Sequence, residues 1–330
     1  MSFLPTLADM AKRTDPNGQV TSTIVEMLTE TNEILQDMGW QEGNLPTGHK
    51  TTVRTGLPEV AWRVLNYGVQ PSKSHTAQVT DNTGMLEAYA EIDKELALLN
   101  GNTAQWRVGE DAAFLESMNQ EMAHTLFYGN EATSPAKFTG LAPRFSVLSD
   151  EKNQSGYNII DAGGNGSTNT SLWLVTWGQT IAHGIFPKGS KAGFSRQDLG
   201  EVTLFDENGG RFQGLRTHYQ WKCGLTVRDW RGIVRIANID TAKLATDEGA
   251  KLVDLLVTAY NRLGVRRRLG RPVIYCNETV ATALDLQASN KSNVWLSMKE
   301  WDGQEVLSFR GIPIRRVDAL VDTENPVEAA

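Results

Sequence analysis

The chain has 330 residues, 40% hydrophobic and 22% charged, enough apolar material for two domains or one large composite unit. Its net charge of -7 repels polyanions and disfavours a dedicated nucleic-acid binder. No apolar run approaches the roughly 20 residues of a membrane span, so no membrane partner is expected, and residues 1–12 lack the apolar core of a signal peptide.

Residues 1–18, interrupted by Pro5, Pro16 and Gly18, read as an extended arm. A helix is predicted over 21–38, where Val20, Ile24, Leu28, Thr31 and Leu35 share a face and Gly39 stops the run. A long polar excursion follows over 48–80. Thr51, Val53 and Thr55 alternate as in a strand, and Gly56-Leu57-Pro58-Glu59 turns the chain. A second strand is expected over 61–65, a loop over 66–73 and a returning strand over 76–80. Such a ribbon has almost nothing of its own to bury and is at best marginally stable alone. Its edges offer unpaired backbone groups to another chain, so it is expected to lie on a neighbouring copy. Arg54, Trp62, Arg63, Tyr67 and Lys73 are the candidate contact residues.

The strongest helical pattern spans 109–128. Glu110 and Asp111 load its first turn, Leu115, Met118, Met122, Thr125 and Leu126 make its apolar stripe, and Gly129 closes it. From 157 to 238 the pattern is β-rich, with strands at 172–177, 202–205, 217–221 and 233–236 and a hairpin turn at Asn208-Gly209-Gly210. Thr246 is the expected N-cap of a further helix burying Leu252, Leu255, Leu256, Ala259 and Leu263, and Gly264 ends it. A short strand at 272–276, a helix capped by Asn277 and running to about 287, and a hairpin turned by Asp302-Gly303 complete the chain. Pro313 confines the closing run to a sheet edge or a strand start. The irregular interleaving of helices and strands gives an α+β class.

Little here promises chemistry. His49, His75, His124, His183 and His218 are scattered outside any metal-ligand spacing, and His218 sits in an alternating strand as a packed or surface imidazole. Cys223 and Cys276 read as core thiols of a reducing compartment. The run Asp161-Ala162-Gly163-Gly164-Asn165-Gly166 has no helix opening behind it to meet a phosphate, so a surface loop is the better account. Ser134 with Lys137, and Ser149 with Lys152, match Ser-x-x-Lys, but in loops rather than on a rigid helical turn. No catalytic residue, cofactor or metal site is assigned. Arg262, Arg266, Arg267, Arg268 and Arg271 form the one dense basic cluster. They are either solvated charges complementing a helix C-terminus or a patch, centred on Arg266, Arg267 and Arg268, for an acidic surface on a neighbouring subunit or for packaged nucleic acid.

Three stretches carry a resemblance. They are Trp106 to Asn130 with Phe138-Thr139-Gly140-Leu141, then Gly184 to Gly193 with 221–239, and Pro272 to Asn277 with Phe309 to Ile314. In this order the chain resembles the major coat proteins of tailed bacteriophages, particularly podovirus-like phages such as the Bordetella phage group, over roughly residues 45–321. The resemblance implies an α+β, Hong Kong 97-like (Johnson) capsid fold. Its expected parts are an N-terminal arm (1–43), an extended loop (44–84), a peripheral domain with the spine helix (85–145) and a β-rich axial domain with the remaining peripheral strands (146–330). It implies hexamers and pentamers of an icosahedral head enclosing DNA by confinement, assembled in the bacterial cytoplasm. Scaffolding, portal and decoration proteins are the implied partners, the scaffold being a separate protein. Covalent cross-linking through Lys50 or Lys73 is not expected, since nothing marks a partner asparagine or a catalytic acid. The rival readings are a cytoplasmic α+β enzyme binding a phosphorylated ligand at residues 163–166, and a phage accessory protein binding carbohydrate or a partner.

Overall fold

The structure, a computed structural model, describes residues 32–98, 103–206, 208–244, 246, 249–289, 296–301 and 304–329. The described chain opens with helix α1 (Ile34–Asp37) and strands β1 (Trp40–Glu42), β2 (Gly48–Gly56) and β3 (His75–Asp93). Helices α2 (Lys94–Leu98) and α3 (Thr103–Tyr128) follow, then β4 (Ile159–Asp161), β5 (Asn169–Trp177), β6 (Ala182–Phe186), β7 (Phe194–Phe205), β8 (Arg211–Val227) and β9 (Ile233–Asp240). The last third holds α4 (Leu252–Leu263), β10 (Arg271–Cys276), α5 (Glu278–Ser289), β11 (Leu296–Trp301), β12 (Gln304–Phe309) and β13 (Ile312–Arg316).

The described strands join in one path, β11-β12-β13-β10-β5-β6-β8-β3-β2, with β9 and β4 attached beside β5, β1 on β6 and β7 on β8. The centre is β5, buried along its whole length. Because successive side chains of a strand point to opposite faces, Trp173, Val175 and Trp177 pack with Met122, Leu126 and Phe127 of α3 on one face. Leu172 and Leu174 pack with Leu252, Leu256, Ala259 and Leu263 of α4 and Val280 and Leu284 of α5 on the other. Val273 and Tyr275 of β10 follow the first set, Ile274 and Cys276 the second. The sheet is therefore the middle of a three-layer α/β/α body, and its α3 side holds the long helix.

That helix begins at Thr103, six residues before the expected start. Met118, Met122, Thr125 and Leu126 are buried as the periodicity predicts, whereas Leu115 is exposed and Ala123 and Phe127 complete the buried stripe instead. The glycines after it have a steric cause. A side chain at Gly129 would meet the Phe138 carbonyl, and one at Gly140 would meet that of Thr125. Their close approach lets Gly140 N–H donate to the Gly129 carbonyl (2.8 Å) and Leu141 N–H to that of Leu126 (2.9 Å), satisfying acceptors at the helix end.

Of four other expectations, one is overturned, one holds in one of its alternatives and two fall wholly or mostly outside the described residues. The predicted helix over 21–38 lies mostly outside the described residues, and its described end is the short α1 with Met38 and Gly39. Thr246 is not an N-cap: its N–H and hydroxyl both turn back to the Lys243 carbonyl, and α4 starts at Leu252 behind Lys251. The main-chain N–H of Leu252 is taken by the Gln287 side chain of α5 (2.9 Å), a tertiary partner that no local signal announces. Residues Asp302 and Gly303 are outside the described set, although β11 and β12 pair on either side of them. Pro313 lies at the start of β13, one of the two places expected, although β13 itself runs between β12 and β10 rather than along an edge. Asn277 caps α5 as expected, its side-chain oxygen accepting from Val280 N–H (3.0 Å).

Candidate subunit interface

Strands β2 and β3 make a hairpin whose residues 57–74 form no strand. Gly48 faces Asn82, and pairing continues outward to Gly56 opposite His75, with a bulge at Thr55. β3 then continues inward as the neighbour of β8, from Thr83 opposite Gly224 to Asp93 opposite Gly214. One 19-residue strand therefore lies half in the body and half outside it.

Buried polar groups fix the point of exit. Asp81 is buried and pairs with Arg144 (2.8 Å), and the Thr226 hydroxyl donates to it (2.5 Å). Asp81 faces His49 across the hairpin, and a guanidinium nitrogen of Arg228 lies 2.7 Å from His49 Nε2. His183 of β6 packs edge-on against His49 and is itself buried. Burial, then the Arg228 charge, lowers the pKa of both imidazoles, that of His183 to about 4. Asn44 grips β2 from outside, donating to the Lys50 carbonyl and accepting from its N–H, both at 2.7 Å. A side chain at Gly48 would meet the Asp81 carbonyl, so the strands close tightly there. The foot of the ribbon is consequently rigid.

The tip is of the opposite character. The expected strand over 61–65 does not form, and the backbone is held only locally, by Ser72 donating to the Glu59 carbonyl (2.6 Å) and Tyr67 N–H to that of Val64 (3.2 Å). Without a partner strand the segment has no ladder to join. Its apolar residues are Leu57, Val60, Trp62, Val64, Leu65, Tyr67 and Val69, all exposed, Trp62 completely. The ribbon strands are polar, as read from the sequence, but the tip carries a concentrated apolar load that the reading missed. The signal was present as seven large apolar residues from Leu57 to Val69, whose period-two runs Val60, Trp62, Val64 and Leu65, Tyr67, Val69 are out of phase with each other.

The candidate contact residues Trp62, Arg63, Tyr67 and Lys73 all lie in this tip, and Arg54 lies near the outer end of β2; all five are exposed. The structure also shows the basic cluster after α4 to be partly engaged. Arg266 pairs with Asp229 (3.3 Å), Arg267 lies over the Tyr260 ring (4.2 Å), and Arg268 is exposed. These three are on the short turn Gly264–Arg268, away from the tip in sequence and packing.

Other candidate chemistry resolves into structure. Gly164 N–H donates to the Asn238 carbonyl (2.8 Å), tying the glycine-rich loop to β9, and Gly163 N–H donates to the Asp161 carboxylate (2.9 Å), closing the turn that leaves β4. Lys137 pairs with Glu121 (2.6 Å). His218 stacks on Tyr89 with ring centres 4.6 Å apart. Cys223 and Cys276 are both buried and free, and burial pushes both thiols up, Cys276 to about 12. Among the described residues no group of three or more His, Cys, Asp or Glu is placed to hold a metal ion, and no helix is long and apolar enough to cross a membrane.

A body bearing a clamped ribbon with an apolar end has the form of a building unit. The family model for the major capsid protein GP7 matches residues 15–328. The chain belongs to this major capsid protein family. A chain of the cryo-EM structure of bacteriophage epsilon15 is 37% identical, with a TM-score of 0.78, across 100% of this chain and 98% of that one. A chain of the bacteriophage JBD30 capsid is only 9% identical, yet covers 96% of this chain with 99% of its own length at a TM-score of 0.53, a likeness of fold alone. No curated protein matches the chain by sequence. The fold is that of the Hong Kong 97-like phage capsids, and the protein is a phage major capsid protein, a structural component of the virion and not an enzyme. The phosphate-loop enzyme reading falls with that assignment.

Proposed function

We propose that the capsid protein assembles through its β2–β3 ribbon, whose tip packs on the body of an adjacent subunit, with Arg54, Arg63 and Lys73 providing the charged surround of Trp62 and Tyr67. The observation that carries this reading is the contrast along the ribbon between a foot fixed by buried charges and a tip whose large apolar side chains are exposed. Exposed apolar clusters of this kind mark interaction sites. Fully burying one such side chain is worth about 1.5–3 kcal/mol, against the entropic costs of association.

A tip that fits a different surface on the next copy gives a head-to-tail contact, and such contacts close into rings when the rotation permits. Hexamers and pentamers of an icosahedral head follow from two such closures. Residues 1–43 serve as an arm, 44–84 as the intersubunit loop, 85–145 as the peripheral domain and 146–330 as mainly the axial domain. Arg266, Arg267 and Arg268 form a second contact patch, in which Arg268 is the most exposed. DNA is held by confinement, consistent with a net charge of -7. Scaffolding, portal and decoration proteins complete the head during assembly in the bacterial cytoplasm.

Deleting residues 68–74 tests this. The variant should keep the circular dichroism spectrum of the parent and lose shell formation in electron micrographs. Intact particles from it would overturn the reading.

A further inference from the structure

At the foot of the ribbon lies a pocket of about 160 Å³. Met85 and Leu86 of β3, Met122 and Thr125 of α3, Phe138 and Cys223 line it, and Ala136 stands exposed beside them. An apolar cavity of about 150 Å³ accommodates one aromatic ring. The partly exposed Glu121–Lys137 ion pair also lines it, giving an apolar socket with one negative and one positive charge beside it.

The chain carries a matching plug. Trp62 is completely exposed at the ribbon tip, with Arg63 next to it and Glu59 three residues before it, both also exposed. An aromatic ring accompanied by both charges meets a ring-sized hole accompanied by both charges, so Arg63 can face Glu121 while Glu59 faces Lys137.

The plug cannot reach the socket of its own chain. Gly56 is level with His75, and Gly84 on the pocket wall is nine residues further along the same paired strand. At about 3.3 Å per residue that separation is roughly 30 Å. The six residues from Gly56 to Trp62 span at most about 21 Å when fully extended. As long as the ribbon stays paired, the occupant must come from another molecule.

The geometry points to Trp62 of one subunit seated in the pocket between β3 and α3 of the next. This rests on the proposed role of the ribbon and adds the receiving surface to it. The contact is head-to-tail, since every copy offers both plug and socket, and the ribbon separates the two by a length that a neighbour must supply.

Cysteine pairing in assembled particles tests the seat. In a Cys223→Ala background, which removes the free thiol that lines the pocket, Trp62→Cys combined with Ala136→Cys should give, under mild oxidation, a ladder of disulfide-linked oligomers on a non-reducing gel. Either single variant, or Trp62→Cys with Phe205→Cys on the distant β7 end, should not. Trp62→Ala should weaken association at each contact by roughly 30-fold, as when an anchor worth about 2 kcal/mol is lost, and Trp62→Phe should restore most of it by refilling the pocket. Absence of the ladder in particles that do assemble, or an equal ladder from the control pair, overturns the socket assignment. That failure is distinct from failure of the ribbon reading, which shows as normal shells from the variant lacking residues 68–74.

Discussion

The capsid protein builds two long hairpins, and they end differently. In β7–β8 the turn closes on itself: the Asp206 carboxylate accepts from Asn208 N–H (2.9 Å) and Gly210 N–H (2.7 Å), and Gly209 takes the positive φ of 80° that the turn needs. Arg211 lies over the Phe205 ring beside it, so even the exposed aromatic there has an intrachain partner. In β2–β3 the 18 residues between the strands close on little, and their apolar side chains have nothing of their own chain to cover them. The first hairpin is complete in the subunit. The second is polar where it is paired and apolar where it is not, so its completion belongs to the assembly. Length of strand does not distinguish them; the location of the satisfied groups does.

If the ribbon is a lever, its rigidity comes from the foot, and the largest stability effect should be found there. Asp81→Ala removes the partner of Arg144 and the acceptor of Thr226 in a buried setting. Breaking one side of such a pair costs about 3–5 kcal/mol. The lower end applies here, because Arg144 keeps the Gly140, Thr139 and Leu225 carbonyls as acceptors. Urea unfolding of the unassembled subunit should show this loss. Hydrogen exchange should show it concentrated in amides of β2 and the outer half of β3. Unchanged protection in those strands would mean the foot does not hold the ribbon.

The comparison also explains how much the sequence discloses. Helices α3 and α4 were legible because one-sided burial imposes a period, which Leu252 to Leu263 repeat, and β5 because Leu172 to Trp177 is the short, nearly continuous apolar run of a strand buried on both faces. The turn at Asn208 to Gly210 was legible because its backbone demands particular residues. The start of α4 was not, since Gln287 supplies the acceptor for Leu252 from a different helix. Residues 61–65 read as a strand because Val64, Leu65 and Trp62 have high strand propensity, but propensity without a neighbour to pair with makes no ladder. The candidate interface was therefore located from its lack of a core, while its apolar content and the clamp of His49, Asp81, Arg144 and Arg228 required the fold. These four come from distant parts of the chain, and no local spacing relates them.

The same foot gives the ribbon a pH dependence. His183 and His49 face each other and are approached by Arg228, just past the end of β8, and by Asp81 from β3, which Arg144 neutralises. The folded chain keeps His183 neutral down to about pH 4, whereas the unfolded chain takes up the proton near pH 6.5. Stability from this group is therefore fully present above pH 6.5 and is lost as pH falls toward 4. Between pH 7 and 5 the loss amounts to about 2 kcal/mol. His183→Phe should flatten the urea midpoint across that interval, and an unaltered slope would assign the effect elsewhere.

The smallest effect should come from the other hairpin. Asp206→Ala deletes two hydrogen bonds to main-chain N–H groups that water replaces at once, because the turn is exposed. A net hydrogen bond is worth about 0.5–1.5 kcal/mol, and exposure places this pair near the bottom of that range. The strands behind it stay paired from Phe205 opposite Arg211 inward to Phe194 opposite Trp221, so fraying should stop within the turn. Subunit stability should change little, and particle yield should match the parent. A collapse of yield from Asp206→Ala would mean that this turn also makes contact with a neighbour. The division between a hairpin finished within the subunit and one finished by the shell would then have to be redrawn.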